Sequence, residues 1–148
     1  MSILEQESFI SSIHPFESLT VNQLELFVEN IDIIYFKENE IVQKQNCEPT
    51  HLYFILKGLI QEKQEDEVLS LYSKNEIFDS ISLIENYSKN TFITAEETIC
   101  YILPRDIFIK TLHENSTLKN YFFQSISEKI SNNIKYEYNK DMDNIIIV

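Results

Sequence analysis

A chain of 148 residues with 43% hydrophobic and 12% aromatic content can bury one sizeable core and is too apolar to be a disordered tail. Its 12 Lys and Arg against 24 Asp and Glu leave a formal net charge of −12 with no basic run, which argues against partners such as nucleic acid or an anionic membrane surface. No stretch of 18 apolar residues is present, the N-terminus lacks a basic region ahead of an apolar one, and Cys47 and Cys100 share no metal or redox spacing, so a cytoplasmic chain with reduced thiols is expected.

In chain order, Leu4, Ile10 and Ile13 predict a helix over 4–14, ended at His14-Pro15 because the residue before proline is pushed out of the α region. Thr20-Val-Asn-Gln23 is a capping box that opens a second helix, with Leu24, Phe27 and Val28 on one face. Short runs rich in Ile, Val, Tyr and Phe then read as strands over 31–36, 40–44, 51–56, 59–62, 67–72, 91–95 and 98–103. No long helix separates most of them, so the pairing is expected to be mainly antiparallel. The acidic run Glu62, Glu65, Asp66 and Glu67 flanks a turn between two of these strands and reads as a solvated loop.

Pro104 fits the first turn of a helix carrying Ile107, Phe108 and Leu112. A longer helix is expected over 116–138, where Leu118, Phe122, Ile126, Ile130 and Ile134 recur every four residues. That spacing drifts about 40° per step around a helix of 3.6 residues per turn, which suits a crossing contact and favours a homodimer. The apolar end Ile145-Ile146-Ile147-Val148 suggests a strand tied to the roll or to a partner, or a chain that continues in a longer protein. The expected fold is α+β: an antiparallel β-roll of the double-stranded β-helix or jelly-roll kind, with N-terminal helices and two C-terminal helices. Residues 1–115 would form the roll with its N-terminal helices, and 116–148 a C-terminal helix, for dimerisation or as a lid, and a tail.

No catalytic set is visible. His14, His51 and His113 share no spacing, the His-x-His pair of a metal-binding cupin is missing, and no Gly-x-Ser-x-Gly, P-loop or Cys-His arrangement occurs. An enzyme and a metal site are therefore not expected.

From Tyr35-Phe36-Lys37-Glu38-Asn39-Glu40-Ile41-Val42 onward, the chain resembles the cyclic-nucleotide-binding domain family. Asn39-Glu40 stands for a Gly-Glu pair, Asn46 for a second Gly, Tyr53-Phe54-Ile55-Leu56-Lys57-Gly58 for a Tyr-x-Ile-x-x-Gly run, and Asn75-Glu76-Ile77-Phe78-Asp79-Ser80 for Gly-Asp-x-Phe-Gly-Glu. Asparagine at 39, 46 and 75 makes physical sense, because tight corners need φ > 0 and Asn accepts it better than most residues. Gly58, the single glycine, sits where the family also keeps one.

The resemblance implies a ligand cassette in the segment from Phe78 through Lys89 to Ala95, where a short helix cradles a cyclic phosphate. Its residues would be Phe78, Asp79, Ser80, Ile81, Ser82, Leu83, Lys89, Asn90 and Thr91. Three of them depart from the family: Asp79 replaces the cassette Gly, Ser80 the ribose-binding Glu, and Lys89 the phosphate-binding Arg. Lysine lacks the planar fork that grips two phosphate oxygens. Losing two charged hydrogen bonds, each about 1.5–3 kcal/mol, weakens binding by roughly two to four orders of magnitude. Asp79 is expected either to act as a built-in anion in place of the phosphate or to cap the cassette helix.

The resemblance thus implies a regulatory sensor domain of a bacterial-type signal transduction protein, with weak or altered binding of cAMP, cGMP or another small anion. The alternative is a ligand-free dimerisation or interaction scaffold that has lost nucleotide binding. A downstream unit, such as paired CBS domains with a nucleotidyltransferase-like unit, is a further expectation from the family.

Overall fold

The structure is a computed structural model and describes residues 2–124. The expected helix stripe beyond residue 124, with Ile126, Ile130 and Ile134, and the apolar end at 145–148 lie outside the described residues.

Helix α1 spans Ile3–Ser11 and stops short of His14-Pro15, its last turn closed by the Ser12 amide donating to the Ser8 and Phe9 carbonyls and the Ile13 amide to the Ile10 carbonyl. A 3-10 turn over Phe16–Ser18 precedes α2, Val21–Asn30. The capping box of α2 forms as read: the Gln23 amide donates to Thr20 Oγ1 at 3.2 Å, and the Thr20 amide donates to Gln23 Oε1 at 3.0 Å.

The strands are β1 Asp32–Phe36, β2 Ile41–Gln43, β3 His51–Lys57, β4 Leu59–Gln64, β5 Glu67–Ser73, β6 Ile77–Phe78, β7 Thr91–Thr94 and β8 Thr98–Pro104. They form two four-stranded sheets, β1-β8-β3-β6 and β2-β7-β4-β5, and every pairing is antiparallel. The two-residue β6 is too short to carry an alternation and escapes a sequence reading. Helix α3 covers Ser80–Glu85 and α4 covers Arg105–Glu114. Pro104, expected in the first turn of α4, instead ends β8 opposite His51 and stands at the N-cap just outside the helix. A further helix, α5, runs over 116–124.

Strands β3 and β8 bury both faces, which makes their sheet the middle of three layers. Leu52, Phe54, Tyr101 and Leu103 pack outward against Ile10, Phe16, Phe27, Phe108, Leu118 and Phe122 of the helical layer. The alternate positions Ile55 and Cys100 turn inward to meet Ile60 and Phe92 of the second sheet, together with Phe36 and Phe78. The inward thiol of Cys100 is pushed up to about 12 by burial.

The corners are made as the asparagines imply: Asn39, Asn46 and Asn75 have φ of 61, 67 and 69°. Gly58 is obligatory for a second reason besides its φ of 117°, because a Cβ there would lie 2.6 Å from Thr98 Cα and 2.7 Å from the Glu97 carbonyl. Asn115 ties the layers together. Its side-chain amide donates to Ser18 O and to Gln23 Oε1, while its Oδ1 accepts from the Leu118 amide and starts α5.

Candidate functional site

The segment after β6 builds one wall of the roll. Asp79 adopts φ 58°, ψ 31°, so the position read as a replaced glycine does require the left-handed conformation. Aspartate tolerates it through its short polar side chain. Helix α3 follows for six residues and ends at Asn86, again left-handed at φ 61°.

The Asp79 side chain makes no capping hydrogen bond to α3, so the expected cap is not the role it takes. Its carboxylate accepts instead from the Ser82 hydroxyl and, at 3.2 Å, from the Ser88 hydroxyl. Ser88 Oγ also lies 2.9 Å from the Asn90 carbonyl, so one carboxylate clasps both ends of the cassette loop. At the far end of α3, Arg105 Nε donates to the Leu83 carbonyl at 2.7 Å, joining the cassette to the start of α4.

A cavity of about 160 Å³ opens beside this wall. Phe78, Asp79, Ser80 and Ile81 of the cassette line it, with Glu62 and Tyr72 from β4 and β5, and Ile77 and Phe92 completing it. The reading of Glu62 as part of a solvated loop is corrected here. Glu62 is 8% exposed and follows Ile60 on the inner face of β4. Its carboxylate accepts from the Tyr72 hydroxyl at 2.8 Å and from the Asn90 side-chain amide at 2.6 Å. Burial first, then the bond to Glu62, pushes the Tyr72 phenol well above its ordinary value of 10.0.

Of the expected cassette residues, Phe78, Asp79, Ser80 and Ile81 meet at the cavity, and Asn90 reaches it through Glu62. Ser82 is buried and turned to Asp79, and Leu83 belongs to the helical-layer core. Thr91 Oγ1 accepts from the Gln45 amide at 3.1 Å. Lys89 is exposed and is not in the lining. Tyr87 is 45% exposed and donates to Asn46 Oδ1, away from the cavity. Glu62 and Tyr72 are the site residues that sequence reasoning missed. The signal that could have found Glu62 is the two-residue step from Ile60 along one strand.

Among the described residues no group of three or more His, Cys, Asp or Glu is placed to hold a metal ion, and no helix is long and apolar enough to cross a membrane.

The Cyclic nucleotide-binding domain family matches residues 33–115 of the chain. The fold is shared with the sensor domain of the transcriptional regulator DNR from Pseudomonas aeruginosa, at 15% identity and a TM-score of 0.74 over 83% of this chain and 91% of that one. The cAMP-bound regulatory domain of Toxoplasma gondii PKA matches at 16% identity and a TM-score of 0.68, over 74% of this chain and 44% of that chain. The C-linker/CNBHD of zELK channels matches at 16% identity and a TM-score of 0.61, over 70% of this chain and 60% of that chain. No curated protein matches the chain in sequence.

Proposed function

The chain belongs to the cyclic nucleotide-binding domain family, and on that premise we propose that it is a regulatory sensor module, not an enzyme, that binds ordinary cyclic nucleotides only weakly. One observation carries this reading: the acidic residues Glu62 and Asp79 line the roll cavity while Lys89 stands exposed outside its lining. A phosphate about 4 Å from one such carboxylate is opposed by roughly 4 kcal/mol at an effective dielectric of 20, near a thousandfold in affinity. The cavity is also below the roughly 300–1,000 Å³ of common small-molecule sites.

The output would pass through the cassette. A ligand that preferred one position of α3 would bias α4 through the bond between Arg105 and the Leu83 carbonyl, and α4 leads directly into α5. A homodimer through 116–148, and a downstream unit that reads the position of these helices in the cytoplasm, complete the proposal. The second reading, an interaction scaffold without a ligand, is favoured by the internal donors that already engage both carboxylates.

Calorimetric titration of the folded chain with cAMP and cGMP tests the first reading. No saturable heat below roughly millimolar concentration is expected. Saturation at micromolar nucleotide would overturn it.

A further inference from the structure

The roll cavity has the opposite polarity to a phosphate site. Glu62 is 8% exposed, and both of its oxygens accept hydrogen bonds, one from Tyr72 and one from Asn90. Both donors are neutral, and among the described residues Glu62 forms no ion pair. A buried carboxylate held only by neutral donors keeps its field, and the low-dielectric surroundings strengthen it. Two oxygens with about four lone-pair sites, two of them used, leave acceptor capacity. Asp79 adds a second carboxylate to the same wall.

The rest of the lining is mostly apolar. Phe78 and Phe92 are almost fully buried behind it, packed with Tyr72 at 5.0–6.2 Å between ring centroids, and the half-buried Tyr72, Ile77 and Ile81 supply the apolar surface within reach. A carboxylate beside such side chains suits a ligand with a charged head and a short hydrocarbon body. A bare metal ion fits worse: hard cations take six or more oxygens, and no three ligating groups converge among the described residues. Size narrows the class further, since about 160 Å³ equals roughly five water volumes.

We infer that the cavity bounded by Glu62, Tyr72, Phe78, Asp79 and Phe92 binds a small alkylammonium ion. Its ammonium group donates to Glu62, and its alkyl chain lies against Tyr72, Ile77 and Ile81. Ligand of this charge would draw the Glu62 strand and the Asp79 end of the cassette together, where a phosphate would push them apart. The inference rests on the reading that this roll does not hold an ordinary cyclic nucleotide tightly, and the two fail separately. Micromolar cAMP binding would overturn that reading whatever amines do, whereas failure of amines alone leaves it standing.

The test is a titration of the ¹⁵N-labelled full chain with n-propylammonium chloride, with n-propanol as the uncharged match and sodium chloride as the ionic-strength control. Propylammonium is expected to give saturable amide shifts centred on Glu62, Tyr72, Phe78 and Phe92, with at least about tenfold weaker response to propanol. Glu62→Gln, which keeps the shape and removes the charge, is expected to weaken propylammonium by at least about tenfold while leaving the rest of the spectrum in place. Equal shifts from amine and alcohol, shifts centred elsewhere, or no shift up to roughly 100 mM would each overturn the inference. The comparison of amine with alcohol is made on the unmodified chain, so it decides the matter even if Glu62→Gln does not fold.

Discussion

The molecule has two cores of different character. Between the helices and the first sheet lies a large apolar one, where Ile10, Phe16, Phe27, Leu52, Phe54, Tyr101, Leu103, Phe108 and Leu118 are fully buried. Between the two sheets lies a smaller one, Phe36, Ile55, Ile60, Phe78, Phe92 and Cys100, which shares its space with a buried carboxylate and a cavity. The contrast shows a division of labour within one small fold. Hydrophobic burial is heaviest in the outer core, while the roll interior holds a buried carboxylate.

The largest effect should come from the outer core. Phe16 touches Phe27, Phe54 and Phe122 with ring centroids 5.2–6.0 Å apart, so Phe16→Ala should destabilise by about 3–5 kcal/mol in urea unfolding. A cost below that of Phe92→Ala, beside the existing cavity, would break the division.

Inside the roll, Tyr72→Phe removes one donor from the buried Glu62 carboxylate and should cost about 1.5–3 kcal/mol by the same assay. The phenol also makes stability depend on pH. Because its folded-state value is raised above 10.0, the folded chain keeps a proton that the unfolded chain releases. That contribution is complete below pH 10 and is lost as pH rises beyond it. Urea unfolding between about pH 9 and 11 should therefore show a decline that is shallower in Tyr72→Phe. An identical slope in both proteins would remove Tyr72 from the account.

Smaller effects belong to the corners, which serve neither core. Asn75→Gly should change stability by less than about 1 kcal/mol, while Asn75→Val should cost about 1–2 kcal/mol or more, because a β-branched residue resists φ of 69°. Lys89→Ala should lie within about 0.5 kcal/mol of the parent and leave cyclic-nucleotide titrations unchanged, since Lys89 is exposed and is not in the cavity lining. A measurable loss of nucleotide affinity on that change would return Lys89 to the site.

The legible features share a cause. The capping box at Thr20 and Gln23 and the left-handed asparagines at 39, 46 and 75 are settled within a few residues, so their residue types report them directly. The strands from β1 to β5, with β7 and β8, were legible from their apolar runs, with ends shifted by one or two residues. The candidate site was legible only as a segment. Glu62 reads as loop because Glu65, Asp66 and Glu67 follow it, yet its partners are Tyr72, ten residues on, and Asn90, 28 residues on. Asp79 reads as a built-in anion or a helix cap because it stands before α3, yet the hydroxyls of Ser82 and Ser88 take its carboxylate.

By itself the sequence determined the family, the order of elements apart from β6, the antiparallel roll and the corners that need φ > 0. Steric limits on the backbone and the alternation of apolar residues act over short stretches and are written in them. Only the tertiary structure decided which charges face inward, that Glu62 and Asp79 share a cavity lining from which Lys89 is absent, and that Arg105 links the cassette to α4. Burial and hydrogen-bond partnership depend on groups brought together from distant parts of the chain, and those set the chemistry of the site.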